Sequence, residues 1–155
     1  MPKKVLGEWL NSKGIKHIIG LIEEQWGAAP KLDYFFLKKE DGRVYIVGKG
    51  VSQVPLSELN VNSLGLYLGR LVPGGFKLSI EGSQMVGPVA KKNVVVLNQK
   101  EFRKWLQGLD IEKPGETGGF VIIAHNGDYF GCARHTRNKL LNLTPKERRI
   151  RVMDA

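Results

Sequence analysis

The 155-residue sequence contains one cysteine, Cys132. A single cysteine cannot form a disulfide within the chain, and it cannot supply the paired thiolates of most structural zinc sites. The fold must therefore be stabilised by packing. A hydrophobic content of 42% is enough for one domain of ordinary size or for two small ones.

Long apolar runs are also absent. No window of the sequence approaches the ~18 apolar residues that a membrane-spanning helix needs. The first residues, MPKKVLGEWLNSKG, lack the uninterrupted apolar core of a secretion signal. These absences predict a soluble, cytoplasmic protein with no membrane partner.

Signatures of common catalytic and cofactor sites are missing as well. The chain has neither a Walker-type phosphate loop nor a GxGxxG turn followed by a ribose-binding acid. The segment HNGD at 125–128 has residue types found in catalytic clusters, but turn geometry alone accounts for Asn, Gly and Asp. We therefore expect no enzymatic activity, no cofactor, no metal and no small-molecule substrate.

Acidic residues are outnumbered, since 24 Lys and Arg against 15 Asp and Glu give a net charge of +9. Residues 1–93 carry 13 basic and 8 acidic residues, 94–130 carry 4 and 5, and 131–155 carry 7 and 2. More than half of the net charge therefore lies in the last segment, which also contains apolar residues. This pattern predicts a folded, positively charged surface that binds a polyanion; the alternative is a solvated end that only aids solubility.

Hydrophobic periodicity predicts helices at the front of the chain and mostly strands after them. Apolar residues at three- and four-residue steps predict a helix over 2–26, interrupted near 11–14. Three hairpins are predicted, and a short helix over 100–109 carries Phe102, Trp105, Leu106 and Leu109 on one side. The hairpins span 32–48, 64–80 and 118–135, with a further strand at 93–97 and a last one at 148–152. Residues 51–59 stay ambiguous, and 81–90 predict one or two helical turns. The fold class is α+β, in two compact units that meet near Asn93.

Cys132 lies between His125 and His135, an arrangement that suggests a Cys–His nucleophile or a three-ligand metal site. Strand alternation places Cys132 on the face of Phe130 and Arg134. Because a lone cysteine in a strand is usually a small core residue, we predict a buried, structural thiol. A thiol enzyme remains a minor alternative.

Two groups of basic residues follow the strand of Cys132. The first lies at the end of that strand, where His135 could also stack on an unpaired base. The second follows the breaker at 142–145. Side by side, the two groups would neutralise several phosphates, and binding would weaken steeply with salt. The predicted RNA-binding residues are Arg134, His135, Arg137, Lys139, Lys146, Arg148, Arg149 and Arg151.

Two longer stretches resemble known families. The segment GGFVIIAHNGDYFGCARHTRNKLLNLTPKERRIR resembles the PUA domains attached to the Nop-two/Sun group of RNA cytosine methyltransferases. The blocks NSLGLYLGRL, FKLSI and PVAKKNVVVL are similar to the Nip-seven family of ribosome-biogenesis factors, which pair an N-terminal α/β domain with a C-terminal PUA domain.

The resemblance implies an N-terminal α/β domain of helices on an antiparallel sheet in residues 1–92. It implies a PUA-like β pseudo-barrel in residues 93–155. The implied protein is non-catalytic and binds an rRNA precursor or tRNA through a basic PUA face during ribosome biogenesis, rRNA processing or RNA modification. An RNA methyltransferase or another ribosome-assembly factor is the implied protein partner. The alternative is an adaptor that assists a methyltransferase and has little RNA affinity of its own.

Overall fold

Two five-stranded sheets organise the part of the chain that the computed structural model describes, residues 7–50, 65–115 and 119–150. The first sheet is antiparallel, with strands adjacent in chain order: β1 (Glu8–Trp9), β2 (Phe35–Lys38), β3 (Arg43–Val47), β4 (Leu66–Val72) and β5 (Gly75–Leu78). The second sheet contains β6 (Val94–Val96), β7 (Ile111–Glu112), β8 (Gly119–His125), β9 (Asp128–His135) and β10 (Lys139–Asn142), in the spatial order β6-β8-β9-β10-β7. Only the β6–β8 pair of these described strands is parallel. The predicted α+β class is therefore confirmed.

The described residues also form three α-helices: α1 (Ser12–Trp26), α2 (Ile80–Val86) with a 3₁₀ turn at Gly87–Val89, and α3 (Gln99–Leu106). Helix α1 begins where the Asn11 side chain accepts a hydrogen bond from Gly14 N at 3.0 Å, and it ends at Gly27, which has a φ of 82°. The helix predicted upstream of this cap is wrong for Glu8–Trp9, because these residues pair with β2 instead. Residues 1–6 lie outside the described chain.

Helix α3 begins with a capping box, in which the side chains of Asn98 and Glu101 bond each other's backbone N–H. It ends at Leu106, three residues earlier than predicted. Leu109 therefore leaves the apolar side of the helix and is 49% exposed. Phe102 and Trp105 remain packed in the hydrophobic cluster of the second sheet.

The three predicted hairpins are confirmed. The last one turns through Asn126 and Gly127, whose φ values of 50° and 80° match a tight two-residue turn. A bulge follows at Gly131, which has a φ of 98°, and the register of β8 against β9 shifts there. Because the bulge inserts one residue, the prediction that Phe130 shares a face with Cys132 is wrong: the two side chains belong to different hydrophobic clusters.

The hydrophobic core crosses from one sheet to the other. The larger cluster joins Ile18, Ile22 and Trp26 of α1 to side chains of the first sheet and to Ile122 and Cys132 of the second. A smaller cluster packs α3 against the other face of the second sheet. The chain thus passes from the first sheet to the second near the predicted boundary between residues 92 and 93. The larger hydrophobic cluster, however, includes residues from both sides of that boundary. The two-domain division stays a prediction.

The end of the chain differs from its predicted structure. The strand predicted at 148–152 is wrong for its described residues, because Arg148 ends a 3₁₀ turn at Lys146–Arg148 and Ile150 N donates a hydrogen bond to Leu106 O at 2.7 Å. Residues 151–152 and the ambiguous segment 51–59 lie outside the described chain. In the described residues, no helix has the length and apolar character that crossing a membrane would require.

Candidate nucleic-acid interface

The structure separates the predicted RNA-binding residues into three groups. Arg134 shares a strand face with Cys132 and stacks over Phe120, toward the first sheet. His135 lies on the opposite face of β9, Arg137 follows it in the β9–β10 turn, and Lys139 begins β10. Lys146, Arg148 and Arg149 come after β10. Arg151 lies outside the described residues.

The β9–β10 turn is held by backbone contacts to the segment after β7. His135 Nε2 lies 3.0 Å from Lys113 O, and Gly115 N donates to Arg137 O at 3.3 Å. Lys113 N also donates to the carbonyl of Asn138 at 3.1 Å. Because of these bonds, Lys113 lies beside the β9–β10 turn, and its cation joins those of Arg137 and Lys139. We call His135, Arg137, Lys139 and Lys113 the turn cluster.

The cations of the turn cluster are accessible. Arg137 and Lys139 are exposed, and Lys139 Nζ lies 3.9 Å from Asp110 in a pair whose side chains are both about half exposed. Lys113 Nζ pairs with Glu101 at 3.3 Å. A solvent-exposed pair such as Lys139–Asp110 contributes only ~0–1 kcal/mol, so a phosphate can replace the Asp110 carboxylate at little cost. The Lys113–Glu101 pair is partly buried, with the Glu101 side chain 19% exposed.

The arginines after β10 contact other parts of the fold. Arg148 Nη1 lies 2.8 Å from Glu81 Oε1 on α2, and Arg149 Nε donates to Thr144 O at 2.9 Å. The Arg149 side chain also covers Gly108, where a Cβ would collide with it. Lys146, the first residue of the 3₁₀ turn after β10, is exposed.

The side-by-side array of the turn cluster and the residues after β10 stays a prediction. They flank opposite ends of β10, a strand of four residues that spans about 14 Å at ~3.4 Å per residue. Arg148 and Arg149 also have intramolecular partners. The turn cluster is therefore the stronger candidate for phosphate contacts.

The third group contains Arg134, whose guanidinium carbon lies 4.6 Å from the centre of the Phe120 ring. Arg134 and Phe120 line a pocket of about 160 Å³ at the junction of the two sheets. Arg134 thus faces a concave site, whereas the turn cluster lies on the outer surface.

The thiol and imidazole groups considered for catalysis have structural roles. Cys132 is buried, as predicted, and desolvation raises the pKa of its thiol to about 12. His125 is also buried: Nδ1 lies 2.8 Å from Leu97 O, Nε2 lies 3.1 Å from Gln99 Oε1, and the ring stacks on Phe102. Within residues 7–50, 65–115 and 119–150, no three His, Cys, Asp or Glu side chains converge as a metal site would require.

Lys113 was missed by reasoning from the sequence. It is a single cation in the stretch LDIEKPG, and no local pattern distinguishes it from an ordinary surface lysine. Its role depends on the pairing of β7 with β10, two strands separated by more than 25 residues of chain. Lys113 could have been found from the sequence only by predicting that β7 pairs with β10.

The second sheet and its helix match a known RNA-associated domain. Residues 92–150 match the family model described as the methyltransferase RsmF PUA domain. A PUA domain of the RsmF/Sun methyltransferase type is therefore present in this chain.

Relatives of the chain carry a methyltransferase name. The ribosomal RNA small subunit methyltransferase F of Aeromonas hydrophila is 24% identical over 139 residues, which cover 89% of this chain and 28% of that protein. The protein of the same name from Shewanella sp. (strain MR-4) is 25% identical over 100 residues, covering 59% of this chain and 21% of the relative. The matched part of the chain thus spans 28% of the length of the Aeromonas protein and 21% of the Shewanella protein. The Aeromonas match also extends beyond the PUA domain into the first sheet.

None of these findings supports the predicted resemblance to the Nip-seven family. The part of the recognition that is confirmed is the PUA domain and its similarity to RNA methyltransferases.

Proposed function

We propose that this protein binds RNA, an rRNA precursor or a tRNA, through the basic surface of its PUA domain during ribosome biogenesis or RNA modification. The observation that carries the proposal is a PUA domain of the RsmF type with an exposed cationic turn cluster. The name of the relatives, a small-subunit rRNA methyltransferase, favours rRNA as the class of ligand.

The turn cluster has the chemistry that phosphate contacts need. The guanidinium of Arg137 can form two parallel hydrogen bonds to a phosphate, and the ammonium groups of Lys139 and Lys113 act as point charges. Each phosphate neutralised releases condensed counterions, so affinity depends on salt. His135 is fixed by its contact with Lys113 O and contributes the position of the turn more than charge.

We further propose that the protein is non-catalytic and that any methyl transfer is performed by a partner. The groups best suited to nucleophilic or acid–base chemistry, Cys132 and His125, are buried in structural contacts.

The test compares Arg137→Ala/Lys139→Ala with wild type by fluorescence anisotropy, using labelled single-stranded RNA, hairpin RNA and duplex DNA at about 50 and about 200 mM salt. If both cations contact phosphates of a single strand, the slope of log affinity against log salt becomes shallower by about 1.4, at ~0.7 per phosphate.

The matched control is Lys13→Ala/Lys16→Ala, which removes two exposed cations from α1. It should bind RNA like wild type. Equal losses in the two double variants would mean that only net charge matters, and undetectable RNA binding by wild type would refute the proposal.

A protein adaptor is the second candidate. The relatives place a similar segment within a longer protein named as a methyltransferase, which suggests that the segment serves such an enzyme directly. An adaptor would co-purify with an RNA methyltransferase, and neutralising the turn cluster would leave that association intact.

A further inference from the structure

A pocket lies where the first sheet, α1 and the second sheet meet, and its volume is about 160 Å³. Its wall comes from the end of α1, from the β4–β5 turn and from the beginning of the second sheet. The lining residues are Gln25, Pro73, Gly74, Asn93, Gly119, Phe120 and Arg134.

The polar part of the wall is fixed by hydrogen bonds. The Gln25 carboxamide donates to Phe76 O at 2.7 Å and accepts from Phe76 N at 2.8 Å. Asn93 Nδ2 donates to Gln25 O at 2.5 Å. Asn93 also has a φ of 58°, a left-handed conformation that asparagine tolerates better than most residues. The pocket is thus preformed.

The Arg134 guanidinium is held in an orientation that suits stacking. Its central carbon lies 4.6 Å from the centre of the Phe120 ring, and the two side chains form adjacent parts of the same wall. Unpaired RNA bases commonly stack on arginine planes and on aromatic rings, and they hydrogen-bond through their edges. The carboxamide of Asn93 carries both a donor and an acceptor for such an edge.

The size and the surrounding charge of the pocket point to the same ligand. Its volume is about five times the ~30 Å³ share of one water molecule. It is well below the ~300 Å³ at which sites for drug-sized molecules begin. A single planar ring system fits these limits. Lys91 and Lys92, both exposed, directly precede Asn93 and can meet the phosphates of a nucleotide whose base enters the pocket.

We propose that this junction pocket receives one unpaired nucleobase of the bound RNA. The base stacks with Arg134, its edge faces Asn93, and its flanking phosphates lie toward Lys91 and Lys92. The site rests on the proposed RNA-binding function and adds to it a preference for RNA with an unstacked nucleotide. The turn cluster supplies general phosphate affinity, while the pocket selects the feature of the RNA.

The test uses three RNA hairpins: one with a fully paired stem, one with a single bulged nucleotide, and one in which the bulged position is abasic. Wild type should bind the bulged hairpin about five- to tenfold more tightly than the other two. Arg134→Lys keeps the charge but removes the stacking plane, so it should bind all three hairpins equally. Arg43→Lys, a matched change on the exposed surface of β3, should keep the wild-type preference.

A second measurement does not depend on the variant. When 2-aminopurine occupies the bulged position, binding of wild-type protein should change the fluorescence of this base, because the base enters a stacked environment. The fluorescence of 2-aminopurine placed within the paired stem should not change in this way. Equal affinity of wild type for the bulged and abasic hairpins would overturn the pocket proposal while leaving RNA binding in place. So would an undiminished preference in folded Arg134→Lys. Absence of binding to every RNA would instead refute the proposed function, and the pocket proposal with it.

Discussion

The thiol of Cys132 is isolated from solvent by the core that joins the two sheets. Burial raises the pKa of the thiol to about 12, against ~8.5 for a free cysteine, so the folded protein holds almost no thiolate near pH 9. Because the thiolate is the reactive form, iodoacetamide should modify Cys132 slowly in the native protein and rapidly in urea. Mass spectrometry of the modified fraction measures both rates, and comparable rates would contradict structural burial.

Gly131 has a backbone conformation that other residues adopt at a cost. Its φ is 98°, and an added Cβ would lie 3.3 Å from the Ile80 side chain. Gly131→Ala should therefore lower the free energy of unfolding by about 1–3 kcal/mol. Gly20→Ala is the matched control, because Gly20 is exposed within α1 and its Cβ would meet no atom within 4 Å. In urea denaturation, this control should raise the free energy of unfolding by ~0.5–1 kcal/mol. The prediction fails if Gly131→Ala raises the free energy of unfolding as well.

Strand alternation could predict the burial of Cys132 from the sequence, but not the face of Phe130. A period of two holds only while the strand is regular, and the bulge at Gly131 resets it. Glycine in YFGCAR is compatible with both a bulge and tight packing. The contact that selects the bulge comes from Ser83, whose Oγ accepts a hydrogen bond from Gly131 N, 48 residues away along the chain.

At the scale of elements, Ser83 links α2 to β9. Its Oγ donates to Ile80 O at 2.6 Å and accepts from Gly131 N at 2.7 Å, and the residue is fully buried. Ser83→Ala would leave the Gly131 N–H without this acceptor, so the free energy of unfolding should fall by about 1–3 kcal/mol.

The control for this prediction is Ser12→Ala, an exposed serine at the beginning of α1. Its effect should stay within about 0.5 kcal/mol. Urea denaturation of both variants gives the comparison, and equal stabilities would show that the link between α2 and β9 contributes nothing.

Elements with a strong local pattern were predictable, and those defined by distant partners were not. The three hairpins have aromatic and β-branched runs around turns that contain glycine, and all three are present. Strand β7 is only two residues long, and its one pairing partner among the described strands is β10, which itself lies between β9 and β7. The strand predicted at 148–152 had apolar residues, but the hydrogen bond from Ile150 N to Leu106 O places this segment against the end of α3.

The same limit applied to the candidate RNA site. The position of Arg137 and Lys139 after a strand was predicted from their order in the sequence, and both are exposed. Strand alternation places Arg134 and His135 on opposite faces, but the contacts of each side chain and the addition of Lys113 depend on how the second sheet is assembled. The sequence showed only the total charge of the basic tail. In the fold, some of these cations are exposed on the surface, and Arg148 and Arg149 form intramolecular contacts instead.

At the scale of the whole molecule, the shared core should make the two sheets unfold together. Ile22 of α1 is fully buried in the same cluster as Phe36 of β2 and Ile122 of β8. Ile22→Ala removes contacts to both sheets, and a large-to-small change of this kind costs ~2–5 kcal/mol. Native-state hydrogen exchange should therefore show the same loss of protection in the amides of β2–β3 and of β8–β9.

The reciprocal variant is Ile123→Ala, in the smaller cluster between α3 and the second sheet. If the molecule is one cooperative unit, this change should also lower protection in β2–β3, although Ile123 does not belong to the core shared with that sheet. Loss confined to β8–β9 in Ile123→Ala, or confined to β2–β3 in Ile22→Ala, would show that the segments on either side of residue 93 unfold as separate domains. If both variants instead lose protection equally in β2–β3 and in β8–β9, the junction and its pocket open only when the entire fold unfolds.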